Sequence, residues 1–301
     1  MRVLVTGGNG FIGSHVIDKL QEKGHEVISY DLLDPYKKGL NHIRADILDL
    51  KGLNDSMKDI DVVYHLAAVS DVNVAYKDPV GCVNVNNLGT LNVLDAARKN
   101  DINRVIFAST IWVYSYSKEE GVSEETGFCV GNGGHIYTST KLAGELACVN
   151  YKEMYGQDFT ILRYGIPYGP RARDNLVIPI FVRKALCKEP LTLFGDGNQH
   201  RNFIYVEDLA DGNVLALKEK AKNQIYNLCG KKTTTIKEIA LTIKKLLGDV
   251  DIKFEESRGG DYRGKNVSSE KANAELCWEP KTSFLDGMNK YIDWYKLKKG
   301  L

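Results

Sequence analysis

The stretch "RVLVTGGNGFIGSH" (residues 2–15) joins a short β-branched run to a turn with Gly7, Gly10 and Gly13 at intervals of three. Glycines at that spacing permit a tight turn, close approach of backbone to a diphosphate, and close packing of the next helix on the strand. A helix opening on such a turn offers unpaired N–H groups and a partial positive charge to phosphates. An ordinary glycine-rich turn can show the same spacing, so context has to decide. Asp31 supplies it: the acid ends the next strand-like run, 18 residues past Gly13. A carboxylate there accepts hydrogen bonds from the adenosine ribose hydroxyls. It also repels a 2′-phosphate, which favours NAD over NADP. After the third run, "ADILD" sets Asp46 and Ile47 near the adenine.

The same rhythm continues along the chain. Strand-like runs stand at "EVISYD" (26–31), "HIRADI" (42–47), "VVYHLAA" (62–68), "RVIFAST" (104–110) and "FTILRYG" (159–165), with helical patterns at 12–23, 82–99 and 139–155. Alternation of this kind predicts an α/β fold, a Rossmann-type doubly wound parallel sheet with helices on both faces. Ligands of such sheets bind beyond the carboxyl ends of the strands. Past residue 165 the pattern becomes turn-rich, in "YGPRARDN" (168–175) and "FGDGNQHRN" (194–202), with short runs such as "QIYNL" standing alone. The expected division is a first lobe of 1–165, joined again by about 201–221, and a smaller, discontinuous lobe of 166–200 and 222–301.

Composition narrows the class. Lys plus Arg number 40 and Asp plus Glu 39, so no net field favours nucleic acid or an anionic membrane. No apolar run approaches the ~20 residues that span a bilayer. The first strand begins at once, with no signal-peptide region ahead of it. Six cysteines and six histidines fall in no metal-ligand spacing, so no metal is expected. The cysteine scatter fits reduced thiols in a cytoplasm.

Chemistry enters with "HIYTSTKLAGE" (135–145). Tyr137 and Lys141 are four apart and share one face of a helix. A free tyrosine, with a pKa near 10, is a poor base at neutral pH, and an adjacent ammonium lowers that value. So tuned, it can take a proton from an alcohol as hydride leaves the same carbon. Thr110, closing "RVIFAST", can donate a hydrogen bond to the reacting oxygen. An ordinary surface pair is the competing reading, and the glycine turn upstream argues against it.

"TGGNGFIG" (6–13), Asp31, "HLAA" (65–68), "AST" with "VY" beyond it, and "YTSTK" together resemble the extended short-chain dehydrogenase/reductase family. Within it the chain looks like the nucleotide-sugar epimerases and dehydratases, of which UDP-glucose 4-epimerase is the type. The resemblance runs through "LRYGIPYGPR" (162–171), "GDGNQHRNFIYVEDLA" (195–210) and "RGGD" (258–261). It implies Tyr137 as general base, Lys141 on the nicotinamide ribose, and Thr110 on the sugar hydroxyl. Gly7, Gly10, Phe11, Ile12 and Gly13 would cradle the NAD diphosphate, with Leu66, Ala67 and Ala68 along its path. Asn175, Leu176 and Leu193 would contact the substrate nucleotide. Arg201 and Arg258 would grip its phosphates, with Asp261 on its ribose. A UDP-sugar substrate and a homodimer are implied too, the dimer through Val83, Leu88, Leu91, Leu94, Leu142, Leu146 and Met154. That stripe could equally face the sheet.

Departures bear on the sugar. Ile166 replaces the usual asparagine, Ser115 the glycine after "VY", and Ile136 the proline before the tyrosine, while Lys265 falls where some 4-epimerases limit bulk at C2. In "STIWVYS" (109–115), Ile111 and Trp112 stand where the dehydrating members carry Asp and Glu. Neither can transfer a proton, and the second position also lacks the glutamate of the decarboxylating members. Glu124 or Glu125 could fold in as a substitute. The leading expectation is transient oxidation at C4 followed by non-stereospecific re-reduction, a UDP-hexose 4-epimerase. Uronic acid epimerases, reductases, decarboxylases and a non-catalytic NAD-sensing protein are the alternatives.

Overall fold

The computed structural model describes residues 1–130, 134–248, 250–256 and 264–300. Seven parallel strands form the main sheet: β1 (Arg2–Thr6), β2 (Glu26–Asp31), β3 (His42–Arg44), β4 (Val62–His65), β5 (Arg104–Thr110), β6 (Asp158–Tyr164) and β7 (Gln224–Leu228). Their order is β7-β6-β5-β4-β1-β2-β3. The order reverses between β1 and β4, and the crevice there is where ligands of doubly wound sheets sit. The strands are apolar on both faces because helices cover both. Val3, Leu4 and Val5 in β1, and Val105, Ile106 and Phe107 in β5, are fully buried.

Helix α1 (Phe11–Glu22) follows β1 directly and buries Gly13, Val16, Ile17 and Leu20, the i, i+3, i+4, i+7 spacing of a core-facing stripe. Helix α2 (Gly89–Lys99) covers the opposite face through Val93, Leu94, Ala96 and Ala97. It extends an earlier helical segment through one π turn, Asn84–Leu88. Helix α3 (Ile136–Tyr155) is started by the His135 side chain, which accepts from the Thr138 N–H, and is stopped by Gly156 in the left-handed region. It lies so close to β5 that a Cβ on Gly144 would stand 2.5 Å from the Phe107 ring.

"QIYNL" is no isolated strand of the second lobe: it is β7, paired in parallel with β6 from Gln224↔Thr160 to Leu228↔Tyr164. The main sheet therefore takes residues beyond 221. A separate core forms around Phe181, Val182, Leu191, Leu193, Ile239, Ile243, Met288 and Tyr291. Its helices include α4 (Val177–Leu186), α6 (Ile236–Leu247, opened by a Thr235/Glu238 capping box) and α7 (Phe284–Lys299). Between the cores, helix α5 (Val206–Leu215) packs on α1. Arg171, at φ 67°, ties the loop after residue 168 to α1 through a 2.8 Å ion pair with Asp18. Among the described residues no helix is long and apolar enough to cross a membrane.

One buried ion pair joins α3 to the sheet. The Arg163 guanidinium donates to Glu145 at 2.7 Å and to the Tyr114 hydroxyl at 2.9 Å, and the Ser109 hydroxyl also donates to Glu145. Both charged side chains are almost fully enclosed. Their attraction there is strong, but removing one leaves the other desolvated and unpaired. Glu145→Ala should lower the unfolding free energy by about 3–5 kcal/mol in urea denaturation, whereas Glu22→Ala, at an exposed i, i+3 pair with Lys19, should change it by less than about 1 kcal/mol.

Candidate active site

The glycine turn is built by contacts that exclude side chains. Gly7 has φ +70°, and a Cβ there would meet the Ala67 backbone nitrogen at 2.6 Å, while a Cβ on Gly13 would meet the Gly7 carbonyl oxygen at 2.1 Å. Gly10 is the N-cap of α1, with no side chain capping the first turn and no acid within it. The orphan N–H groups of Phe11, Ile12 and Gly13 and the positive end of the helix dipole thus gather at this turn. Asp31 answers from the end of β2: its carboxylate accepts from the Asn9 N–H and the Leu33 N–H, each at 2.9 Å. It is a turn cap and a free acceptor at once, because two carboxylate oxygens offer more lone pairs than two donors use. Asn9 also donates to the Leu33 carbonyl and accepts from Ser29, so the turn is locked onto β2.

A buried polar chain carries the geometry across the sheet. The Ala67 N–H donates to Thr6 Oγ1 at 3.3 Å, and Thr6 Oγ1 lies 2.8 Å from His65 Nδ1. His65 Nε2 lies 2.9 Å from Thr90 Oγ1, whose proton goes to the Asn86 carbonyl. With the Thr90 proton committed, His65 must donate from Nε2 and accept at Nδ1, which assigns its tautomer. Burial holds this imidazole neutral, lowering its pKa to about 3, and Lys141 nearby acts in the same direction. From the π turn the Asn86 amide accepts from the Val69 N–H and donates to Val69 O and Thr140 Oγ1 at 3.0 and 2.9 Å. The strand end that follows "HLAA" is thereby fastened to the helix of "YTSTK". Asn86 and Thr90 escape sequence reasoning, and Thr6 and His65, though inside quoted motifs, show no role there until the fold lines them up.

Thr110 stands by Tyr137, and Lys141 follows one turn further along α3 with its ammonium turned to the end of β5. Thr110 closes β5 and its hydroxyl hydrogen-bonds Tyr137, which is 9% exposed. The electrostatics differ from the expectation. Burial raises the Tyr137 pKa to about 12, only partly opposed by the Thr110 hydrogen bond and the Arg173 charge. The Lys141 ammonium donates to the Ala108 carbonyl at 2.7 Å and lies 4.9 Å from the Phe107 ring centroid. Desolvation lowers its own pKa to about 8. At pH 7 Tyr137 is a neutral phenol and Lys141 a costly buried cation, because burial is the largest influence on each.

Other expected residues divide. Asp46 turns its carboxylate to the Leu48 N–H and Ile47 is buried under Gly89, while Leu66 and Ala67 pack on the two cores flanking the sheet. Ala68, the next residue on that path, is half-buried. Phe11 reaches the second core, as does Leu176 at the start of α4. Asn175 donates to the Asp71 carboxylate at 2.7 Å. Leu193 is buried in the second core and its backbone pairs with Phe254. Arg201 points its guanidinium at Trp112, 5.4 Å from the indole centroid. Arg258 and Asp261 lie outside the described residues.

Residues 3–229 match the sequence profile of the NAD dependent epimerase/dehydratase family. The chain belongs to that family. A putative UDP-glucose 4-epimerase of Methanocaldococcus jannaschii is 36% identical over 306 residues, covering 98% of each chain. A UDP-N-acetyl-alpha-D-glucosaminuronate decarboxylase of Bacillus cytotoxicus is 32% identical, again over 98% of both. Among solved structures, a UDP-glucuronic acid 4-epimerase of Bacillus cereus, in complex with UDP-glucuronic acid and NAD, superposes with a TM-score of 0.91. That protein is 32% identical and the match spans 99% of this chain and 100% of that one. The resemblance carried by the motifs thus holds over the whole length. The chain is thus a member of an NAD-dependent epimerase/dehydratase family, and its relatives include UDP-sugar epimerases and decarboxylases. Its own residues fit NAD: a turn from which Cβ atoms are excluded, an uncapped helix start, and a carboxylate with spare acceptor capacity at the β2 end.

The lysine yields a pH test. Lys141 binds its proton with a pKa of about 8 when folded against 10.5 as the ordinary value. Between those values the unfolded chain holds more protons, so stability rises with pH through this window and the penalty is complete below it. Lys141→Met should be more stable than the wild type at pH 7, with the difference shrinking as pH climbs past 8 toward 10.5 in chemical denaturation. A constant difference across that range would show that Lys141 is not desolvated.

Proposed function

We propose that this chain is an NAD-dependent UDP-sugar 4-epimerase, acting on a UDP-hexose. Tyr137 takes the C4 hydroxyl proton once substrate and cofactor complete its surroundings, Thr110 orients that oxygen, and Lys141 holds the nicotinamide ribose and its positive charge beside the phenol. When bound, NAD accepts a hydride from C4 and returns it. Arg201 and Arg258 secure the diphosphate as bidentate guanidinium donors, with Asn175, Leu176 and Asp261 on the nucleotide. Asp31 favours NAD over NADP. One observation carries the choice of reaction: the two residues after Thr110 are Ile111 and Trp112, which cannot move protons. Elimination of water needs an acid for the leaving hydroxyl and a base for C5. Of the candidate replacements, Glu124 is engaged by the Asn227 N–H at 2.6 Å and Glu125 is exposed, which supports the same reading.

The decarboxylase relative favours a second reading. A uronic acid oxidised at C4 carries its carboxylate β to a ketone and can lose carbon dioxide without a dedicated acid. Mass spectrometry of reactions with UDP-glucose, UDP-galactose and UDP-glucuronic acid separates the two. The expected product has the mass of its substrate, and Tyr137→Phe should turn over ~10²–10⁴-fold more slowly. Loss of carbon dioxide would replace the epimerase reading, and loss of water would defeat both.

We also propose a homodimer in a reducing compartment, the cytoplasm. Leu146 and Met154 on α3 are 57% and 67% exposed, and Val83, Leu88 and Leu91 on the neighbouring helical segment are also open. Leu94 and Leu142, expected in the same stripe, turn inward instead. Exposed apolar side chains gathered on neighbouring helices are the kind of surface a partner covers, and all six cysteines are unpaired. Sedimentation should give twice the 33.6 kDa chain mass, and Leu146→Glu with Met154→Glu should return it to the monomer.

A further inference from the structure

Epimerisation makes a demand that neither the base nor the phosphate grip meets. The sugar ring must be held between its two ends and still be free to present either face to the same nicotinamide. The residue standing along that interval is Trp112. Its N–H donates to Thr110 Oγ1 at 3.2 Å, so its backbone is fixed to the residue that binds Tyr137. The indole lies 5.3 Å from the His135 ring, which lies 6.0 Å from the Tyr137 ring. The Arg201 guanidinium stands 5.4 Å from the same indole. Trp112 packs on the small cluster of Ala75, Cys82 and Tyr137, and it also lines a recess with Ile111, Ile166, Arg201 and Lys265.

We propose that Trp112 is the platform on which the sugar ring lies and turns between oxidation and re-reduction; this rests on the epimerase reading. A pyranose shows C–H groups on both faces, and a flat indole meets either through dispersion contacts that have no hydrogen-bond direction. A carboxylate or amide at this position would bond particular hydroxyls and hold one face. The apolar neighbours Ile111 and Ile166 extend the same logic, because they add contact area without adding donors or acceptors. Arg201 anchors the phosphate end, Tyr137 and Thr110 meet the C4 oxygen, and Trp112 supports the ring without choosing its orientation. Trp112 is therefore a specificity-determining contact and moves no proton.

The test compares Trp112→Leu, which keeps apolar bulk in the cluster, and Trp112→Phe, which keeps a ring, with the wild-type holoenzyme. Trp112→Met replaces the leucine variant should that one not fold. Calorimetry gives the affinities for UDP and UDP-glucose, and mass spectrometry after oxime trapping gives the ratio of released 4-keto sugar to epimer. In Trp112→Leu, UDP affinity should stay within about two-fold of the wild type and UDP-glucose affinity should fall about ten-fold. The share of escaped keto sugar should rise, and Trp112→Phe should recover most of both properties. Wild-type affinity for UDP-glucose with a wild-type ratio in the leucine variant would overturn the platform. Equal losses for UDP and UDP-glucose would also overturn it, since Trp112 would then only support Arg201. Failure of the epimerase reading looks different: the wild type itself would form no epimer from any UDP-sugar.

Discussion

A side chain on residue 13 would place a carbon 2.1 Å from the Gly7 carbonyl oxygen, and one on residue 7 would press the Ala67 backbone at 2.6 Å. The site depends on these two exclusions. They bring the start of α1 and the ends of β1 and β4 to within backbone contact, which opens the crevice at the reversal of strand order and leaves the first turn of α1 free to meet phosphate. The close approach also explains why Asn9, Ser29 and Asp31 are bonded to one another: a turn without side chains has little to hold its shape, so neighbours hold it from outside.

Positional accuracy then passes through buried hydrogen bonds. Thr6, His65 and Thr90 form a chain in which every proton has an acceptor, and Asn86 satisfies Val69 and Thr140 together. A chain of this kind adds modestly to stability while intact and costs much more when one partner is missing. The π turn at Asn84–Leu88 inserts a residue into the helical ladder and so lets Asn86 reach Thr140 on α3. Glu145 and Arg163 fasten that helix at its middle, behind Lys141. Tyr137 and Lys141 are thus carried on a helix fastened from two sides, one neutral and one ionic.

Electrostatics sets a threshold for the chemistry. Burial keeps Tyr137 protonated and makes the Lys141 charge expensive. In the folded chain the Lys141 ammonium is held by the Ala108 carbonyl and the face of the Phe107 ring.

The sequence by itself determined whatever depends on neighbours a few residues apart. The glycine turn, the acid at the end of β2, the Tyr137–Lys141 spacing and the order of strands and helices are all local patterns, and each is where the sequence puts it. It also settled the absence of proton-transferring side chains after Thr110, because that is a matter of residue type. Tertiary structure decided the rest, for reasons of distance and enclosure. "QIYNL" carries no mark of the partner it finds, and only the free edge of β6 makes it the seventh strand. That the Leu193 side chain is buried in the second core was likewise not legible, because the face a short strand buries depends on its partner at residues 252–255. The sign of the Tyr137 shift reversed because four-residue spacing says nothing about burial, and desolvation, which belongs to the folded whole, is the larger force there.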